Sequence, residues 1–311
     1  MSQQTTHSII MCRPDDFGYN DETGTDNEFQ HRPETSAELI KQTALTEFEA
    51  AVAKLQKAGV EILELKQQSE HALPDAVFPN NWFTTTVDGK LITYPMKTLN
   101  RQREIAPNLL SELVTQAGYQ QPEHIDFATP HTPLALEGTG VLVFDHPNRI
   151  VYAALSERCD GNVLAEYCQQ YDWRSVSFQS TSSHQIPIYH TNVMMSVGSQ
   201  FVVICLESIA ADQRETVTRA IAESGKILID ISFKQMEEGF CGNILEVKNH
   251  QGEAVIAMSQ TAWNHFTPSQ QQQLQSYGTV VACPIPTIEF IGGGSLRCMM
   301  AENFLPKASS R

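Results

Sequence analysis

The sequence predicts an α/β ring of five ββαβ units, forming one domain over residues 1–311. Three observations predict it. A strand hairpin followed by a helix and a further strand recurs four times inside the chain. The two ends of the chain supply the pieces of a fifth unit. The best single hairpin signal, Asp88-Gly89, falls where the pattern needs a turn. Self-similarity at roughly 50–60 residues marks propeller-like or solenoid arrays, and a unit split between the termini is how such rings close. The competing reading is an ordinary mixed α/β domain whose segments resemble each other by accident.

The elements follow in chain order. Ser8 to Cys12 reads as a strand, Glu38 to Ala58 as a helix and Val60 to Leu65 as a second strand. These complete a unit with the C-terminal stretch Cys298 to Phe304, so the first unit is closed by the end of the chain. The next unit opens near Val77, turns at Asp88-Gly89 and continues through Lys90 to Tyr94. A helix at Pro107 to Gln116 and a strand near Ile125 to Phe127 complete it. In the third, residues 140–144 and Ile150 to Leu155 flank a turn, then a helix over Gly161 to Gln170 leads to Ser175 to Phe178. In the fourth, Asn192 to Val197 and Phe201 to Leu206 flank Gly198-Ser199, followed by a helix from Asp212 to Ser224 and a strand from Lys226 to Ile231. The fifth has Asn243 to Val247, a turn at Gln251-Gly252 and Ala254 to Met258. Its helix begins at Thr267-Pro268-Ser269, a capping residue followed by a proline whose missing N–H costs nothing there, and Val280 to Pro284 ends it.

Composition narrows the function. A formal net charge of −15 and a pI near 5.0 leave no basic face for nucleic acid or anionic membrane. Seven dispersed cysteines, an odd number with no CxxC pair and no zinc-like His/Cys spacing, suit reduced thiols in a cytosol. The N-terminus shows neither a basic region nor an apolar stretch of signal-peptide type, and no run approaches a membrane span. The expectation is a cytoplasmic enzyme acting on a small molecule, without metal or cofactor; a homodimer is compatible with it.

In a ring of repeats, the loops that open each unit converge at one end of the axis. The openings are Asp75 to Trp82, residues 137–140 (Glu-Gly-Thr-Gly), His190-Thr191-Asn192 and Cys241-Gly242-Asn243, with Gly292 to Met299 as the closing segment. A carboxylate, an imidazole and a thiol therefore stand where they can meet, which is the set a nucleophilic enzyme needs. Singly, each has a bland explanation: Cys298 before two methionines as a core residue, Glu137 as a loop cap, His190 as a structural histidine. The three glycines at 292–294 add weight, because they permit a sharply turned backbone close to the sulfur.

These stretches resemble the guanidino-group-modifying superfamily, the penteins, over essentially the whole chain. The Glu-Gly-Thr-Gly, His-Thr-Asn and Gly-Gly-Gly-Ser-Leu-Arg-Cys-Met segments carry the resemblance. Met-Cys-Arg-Pro (11–14) and Phe-Pro-Asn-Asn-Trp (78–82) resemble a subgroup related to arginine deiminases and thought to act on citrulline. The resemblance implies a five-bladed propeller in which Cys298 attacks the central guanidino or ureido carbon. It gives His190 the proton transfers and Glu137 the orientation of substrate nitrogens or of His190. Arginine deiminases carry aspartates where this chain has Asn80-Asn81 and Asn192. An amide offers a donor as well as an acceptor, so it suits a neutral ureido oxygen better than a carboxylate does. Asp75, Asp15 and Asp16 remain as carboxylates for a cation, and Asn243 is a further candidate at its opening.

Arg13 and Arg297 are the candidate anchors for a substrate carboxylate; for Arg297 a structural bond to loop carbonyls is the alternative. The implied activity is hydrolysis of citrulline to ornithine, ammonia and carbon dioxide. Arginine or methylarginine hydrolysis is the runner-up, and a non-catalytic binding protein of the same fold is the third reading. The acidic stretch from Asp15 to Glu28 reads as either a lid or a solvated loop.

Overall fold

The computed structural model describes residues 3–67 and 69–309. Among the described residues there are five three-stranded sheets, and all share one plan. β1 (Ser8–Cys12) lies between β15 (Ala301–Glu302) and β2 (Glu61–Leu65). β3 (Phe83–Thr85), β4 (Lys90–Thr93) and β5 (Glu123–Asp126) form the second sheet, and β6 (Val143–Asp145), β7 (Ile150–Ala154) and β8 (Arg174–Phe178) the third. β9 (Met195–Val197), β10 (Phe201–Ile204) and β11 (Ile227–Asp230) make the fourth. The fifth has β12 (Leu245–Lys248), β13 (Ala254–Ser259) and β14 (Thr279–Cys283). In every sheet the middle strand pairs antiparallel with one neighbour and parallel with the other.

The parallel partner is reached by a helical crossover, as a parallel pair requires. The five crossover helices are Ala37–Lys57, Pro107–Gln116, Gly161–Gln170, Arg214–Glu223 and Pro268–Tyr277. Local chemistry sets their starts. Ser36 and Asp160 accept from the first-turn backbone, and Thr267 and Gln270 make a reciprocal capping box. The middle strands are near-continuous apolar runs because both faces are covered: β7 (Ile-Val-Tyr-Ala-Ala) and β10 (Phe-Val-Val-Ile) are buried throughout. The outer strand β8 alternates towards solvent. First strands of successive sheets pack together, β15 beside β3, β6 beside β9, and β9 beside β12.

The crossover helices fall within two residues of expectation; the largest difference is in the helix read from Asp212, which begins at Arg214. The unit openings do not match. Gly140 and Val141, expected in a strand, belong to a helical turn at Gly138–Val141, and the strand begins only at Val143. Asn192 to Met194, expected in a strand, lie in a turn at Thr191–Met194. Pro79–Asn81 and Leu296–Met299 form comparable turns, so the closing strand is shortened to Ala301–Glu302. A four-residue apolar run has too few positions to show which period it follows. Tertiary bonds decide it: the Thr191 hydroxyl donates to the Val141 carbonyl at 2.7 Å and accepts from the Ala154 amide at 2.8 Å.

Candidate active site

The four short turns, not the strands, carry the chemistry. The turn at 79–81 packs on those at 138–141 and 296–299, and the 138–141 turn packs on 191–194. Asn80 and Asn81 sit on the first, Glu137 and His190 immediately precede two others, and Cys298 lies within the fourth. Each turn points its backbone at its neighbour, which brings side chains more than two hundred residues apart into one buried cluster. Cys298 is 2% exposed, His190 2% and Glu137 0%.

Cys298 Sγ faces two amides. Asn243 Nδ2 donates to it at 3.2 Å and Asn192 Nδ2 lies at 3.5 Å. Asn243 Nδ2 also donates to the Asn192 carbonyl at 2.8 Å, which locks the pair together. A Cβ at Gly294 would lie 3.3 Å from the sulfur, so the glycine run leaves the room expected of it. Burial raises the thiol pKa above its ordinary value; Asn243, the Ser295 backbone, Arg297 and Asn192 pull the other way. The other six cysteines are also buried and free, yet among the described residues none of them has two side-chain amide donors on its sulfur. Cys12, whose thiol donates to a backbone carbonyl and to Gln67, is pushed far up by burial and by Glu104.

His190 Nε2 meets Glu137 Oε2 at 2.7 Å. The second Glu137 oxygen accepts from the Lys97 amide at 3.0 Å, and Arg158 Nη1 lies 3.6 Å from the carboxylate. Burial works against the charge on Glu137, but Arg158, His190 and Arg101 outweigh it and hold the carboxyl well below its usual range. Burial pushes His190 down to about 4; Glu137 opposes this, while Arg158 and Arg101 reinforce it. The resting arrangement is a carboxylate, a neutral imidazole and a thiol. His190 Nδ1 faces Gly140, where a Cβ would come within 2.9 Å of it and 2.5 Å of Asn81 Nδ2. Only glycine keeps that gap open.

The remaining expected residues divide. Asn81 Oδ1 accepts from Arg101 Nη1 at 2.6 Å, and its Nδ2 donates to Asn80 Oδ1 at 3.1 Å. Asn80 in turn donates to the Thr139 hydroxyl. Asp75 is buried, with Oδ2 accepting from Asn20 at 2.7 Å and Thr23 at 2.9 Å. Its Oδ1 has no partner among the described residues; Asn243 Oδ1 and Gln30 Nε2 are likewise unpaired. Such buried atoms are costly unless something else completes them.

The structure does not bring Arg13 or Arg297 to the site as anchors. Arg13 is a surface residue paired with Asp15 at 2.8 Å and Glu49 at 3.2 Å. Arg297 donates to the Met300 carbonyl at 2.7 Å and pairs with Glu302 at 3.1 Å, so its fork is already used on the protein. Asn192 stands at the sulfur, beside Asn243.

Two buried arginines were missed. Arg101, paired with Glu104, and Arg158, paired with Asp26, are each 2% exposed. Neither sits in a motif, and no local signal distinguishes them from surface arginines. Residues 15–28 are not a solvated loop. Phe17, Asn20, Thr23 and Asn27 are buried, and Asp26 accepts from Arg158 and from Lys97 at 2.9 Å. Asn27 reaches the Gly293 carbonyl, so this segment straps across the closing turn. Among the described residues no cluster of His, Cys, Asp and Glu could hold a metal ion, and no helix is long and apolar enough to cross a membrane.

A buried thiol between amides, beside an imidazole–carboxylate pair, on a mixed α/β fold of repeated three-stranded sheets, places the chain in the pentein superfamily of guanidino-modifying enzymes. Within that superfamily, residues 13–305 match the family described as N,N dimethylarginine dimethylhydrolase, eukaryotic, and the chain belongs to it.

Solved structures share the fold. The N-terminal domain of ArgZ, an arginine dihydrolase of the cyanobacterial ornithine–ammonia cycle, aligns with a TM-score of 0.72 at 16% identity. That alignment covers 95% of this chain and 97% of the other. AgrE bound to L-arginine aligns at 0.73 and 15% identity, over 97% of this chain and 41% of AgrE. The Pseudomonas aeruginosa DDAH complexed with citrulline aligns at 0.67 and 14% identity, over 97% and 100%. No curated protein matches the chain.

Proposed function

We propose that the protein is a cysteine hydrolase that cleaves a C–N bond of the ureido or guanidino group of an amino acid, with citrulline, cut between its side-chain nitrogen and the ureido carbon, the favoured substrate. The observation that carries this is the sulfur of Cys298 held by the amides of Asn243 and Asn192, the latter on the same turn that His190, paired to Glu137, precedes. An amide donor stabilises a thiolate more than a thiol, so the site favours the reactive form once a proton acceptor is in place.

In the proposed reaction, His190 takes the proton of the Cys298 thiol and the resulting thiolate attacks the ureido carbon. The ornithine amine leaves with a proton from His190, and a carbamoyl thioester remains. His190 then takes a proton from water, the resulting hydroxide attacks the thioester, and carbamate departs and decomposes to ammonia and carbon dioxide. Glu137 fixes the imidazole and stabilises its protonated form. Arg158 and Arg101, buried against Asp26 and Glu104, position Glu137 and Asn81 and are not free to bind a substrate carboxylate. Asp75 Oδ1 and Gln30 Nε2 are the unpaired atoms a substrate amine and carboxylate or ureido oxygen would complete.

The second reading, hydrolysis of arginine or a methylarginine, is favoured by Asp75. A buried carboxylate oxygen without a partner suits a cation. The arginine dihydrolase ArgZ and the citrulline complex of DDAH lend support to each reading in turn. We also read the five sheets as blades of one closed five-bladed propeller spanning 1–311 as a single catalytic domain. The seam between β15 and β1 and the serial packing of first strands support this.

The deciding experiment follows the consumption of citrulline, arginine and dimethylarginine and the release of ammonia, dimethylamine, citrulline and ornithine, with wild type and Cys298→Ser. Citrulline turnover that falls by several orders of magnitude in Cys298→Ser is expected. Turnover of none of the three compounds would sink the enzymatic reading, and a preference for arginine would sink the ureido one.

A further inference from the structure

Alongside the inner strands β3 and β6 the structure holds a cavity of about 480 Å³, lined at one end by Thr139 of the 138–141 turn and at the other by the hairpin after β3. It lies between the hairpin that follows β3 and the turn that follows β6, and extends to Trp173 at the start of β8. Its size falls within the range of small-molecule sites, which are mostly apolar with a few fixed polar groups. Phe144, Tyr171, Trp173 and Phe304 supply aromatic walls. Phe144 lies 4.8 Å from Trp173, ring to ring.

Two cations line the cavity: Lys90, which is paired with Asp88, and Arg149, an exposed side chain fixed at the aromatic wall. Arg149 stacks on Trp173 with its guanidinium carbon 4.2 Å from the ring centre. Its Nε donates to the Asp172 carbonyl at 3.1 Å, and its Nη2 donates to the Tyr171 and Asp172 carbonyls. No carboxylate pairs with it among the described residues, and Nη1 makes none of these bonds. A guanidinium locked on one edge and free on the other is pre-organised for an oxyanion, and its rotamer entropy has already been spent. Arg174, the next arginine along, is instead paired with Glu223 on the surface.

We propose that this cavity is a binding site for a planar aromatic anion, with the ring against Trp173 and Phe144 and the anionic group on Arg149. The ligand class follows from the two features together: aromatic faces select a flat ring, and the unpaired guanidinium in a chain of net charge −15 selects negative charge locally against the overall field. The plainer role for Arg149 is to cap the carbonyls after the helix Gly161–Gln170. That role is satisfied by Nε and Nη2 and leaves Nη1 unused.

The test uses 8-anilinonaphthalene-1-sulfonate as the anionic probe and N-phenyl-1-naphthylamine as its neutral counterpart. Both are titrated by fluorescence into the full chain. The sulfonate is expected to bind at least tenfold tighter than the neutral amine. In a Trp82→Phe, Trp263→Phe background, energy transfer from Trp173 should report its binding. Arg149→Gln should remove most of the tenfold preference, while Arg174→Gln should leave it intact. Equal binding of the two probes by wild type overturns the proposal without reliance on any variant. An equal loss in Arg149→Gln and Arg174→Gln overturns it too, because it would show only surface charge.

Discussion

Replacing Asn243 with alanine removes the shorter of the two amide contacts on the Cys298 sulfur, 3.2 Å against 3.5 Å for Asn192. A hydrogen bond to a charged acceptor is worth about 1.5–3 kcal/mol. At roughly 1.4 kcal/mol per pH unit, its loss raises the thiol pKa by about one to two units. The thiolate fraction at neutral pH then falls about ten- to hundredfold. A more basic thiolate is a better nucleophile, with a Brønsted slope near 0.4–0.5, which returns about half of that on a logarithmic scale. The net loss in kcat/KM at pH 7 is therefore roughly three- to fifteenfold, with the acid limb of the pH–rate profile displaced to alkaline pH by one to two units. The assay is kcat/KM for the preferred substrate between pH 6 and 10. A limb that stays within about 0.3 unit of wild type, at any activity, refutes the claim that this amide tunes the sulfur.

Two further outcomes follow from the geometry. Asp26→Asn weakens the strap that Arg158 and Lys97 hold. Because Asp26 is partly exposed, the loss is smaller than for a fully buried pair, and an increase in KM of about tenfold is expected with a smaller change in kcat; an unchanged KM would detach residues 15–28 from substrate retention. Stability also responds to acid. His190 and His146 are both pushed down to about 4, chiefly by burial. As pH falls below about 6.5 the unfolded chain takes up these protons and the folded one does not. The full stability is therefore present above 6.5 and is lost between 6.5 and 4. At roughly 1.4 kcal/mol per unit this is of order 3 kcal/mol for each histidine. Glu137, held low when folded, extends the loss below its unfolded value. Urea melts at pH 7 and pH 5 that superimpose would contradict the neutral state of the two rings, of which His190 is buried and His146 partly so.

The repeat plan was legible because crossover helices and middle strands are long enough to show their period. Pro107–Gln116 and Gly161–Gln170 fall where the pattern puts them. The four helical turns at the unit openings were not legible, since each spans three or four residues and takes its shape from neighbours distant in sequence. Cys298, His190 and Glu137 stood out by position and residue type. Arg101 and Arg158 did not, because what distinguishes them is burial, and burial of an arginine is decided by partners such as Glu104 and Asp26 that no spacing rule connects to the site. Arg13 and Arg297 failed as anchors for the converse reason. Each lies close in sequence to the right residues, but Glu49 and Glu302 claim their guanidinium groups.

The same accounting changes the argument about substrate charge. Asparagines at 81 and 192 first appear equivalent, as two amides that could read a ureido oxygen. In the structure they are not. Asn192 is committed to the sulfur, and Asn81 presents its carbonyl to Arg101, leaving its amino group towards Asn80 and the gap over Gly140. Arg101 can only donate, so it holds Asn81 in the orientation that offers N–H to the site. An aspartate at 81 would pair with Arg101 equally well but would offer the site no donor. In the proposed reading, discrimination between a ureido oxygen and a guanidinium nitrogen therefore rests on Asn81, which supplies a donor, in opposition to Asp75, which keeps one buried carboxylate oxygen without a partner among the described residues.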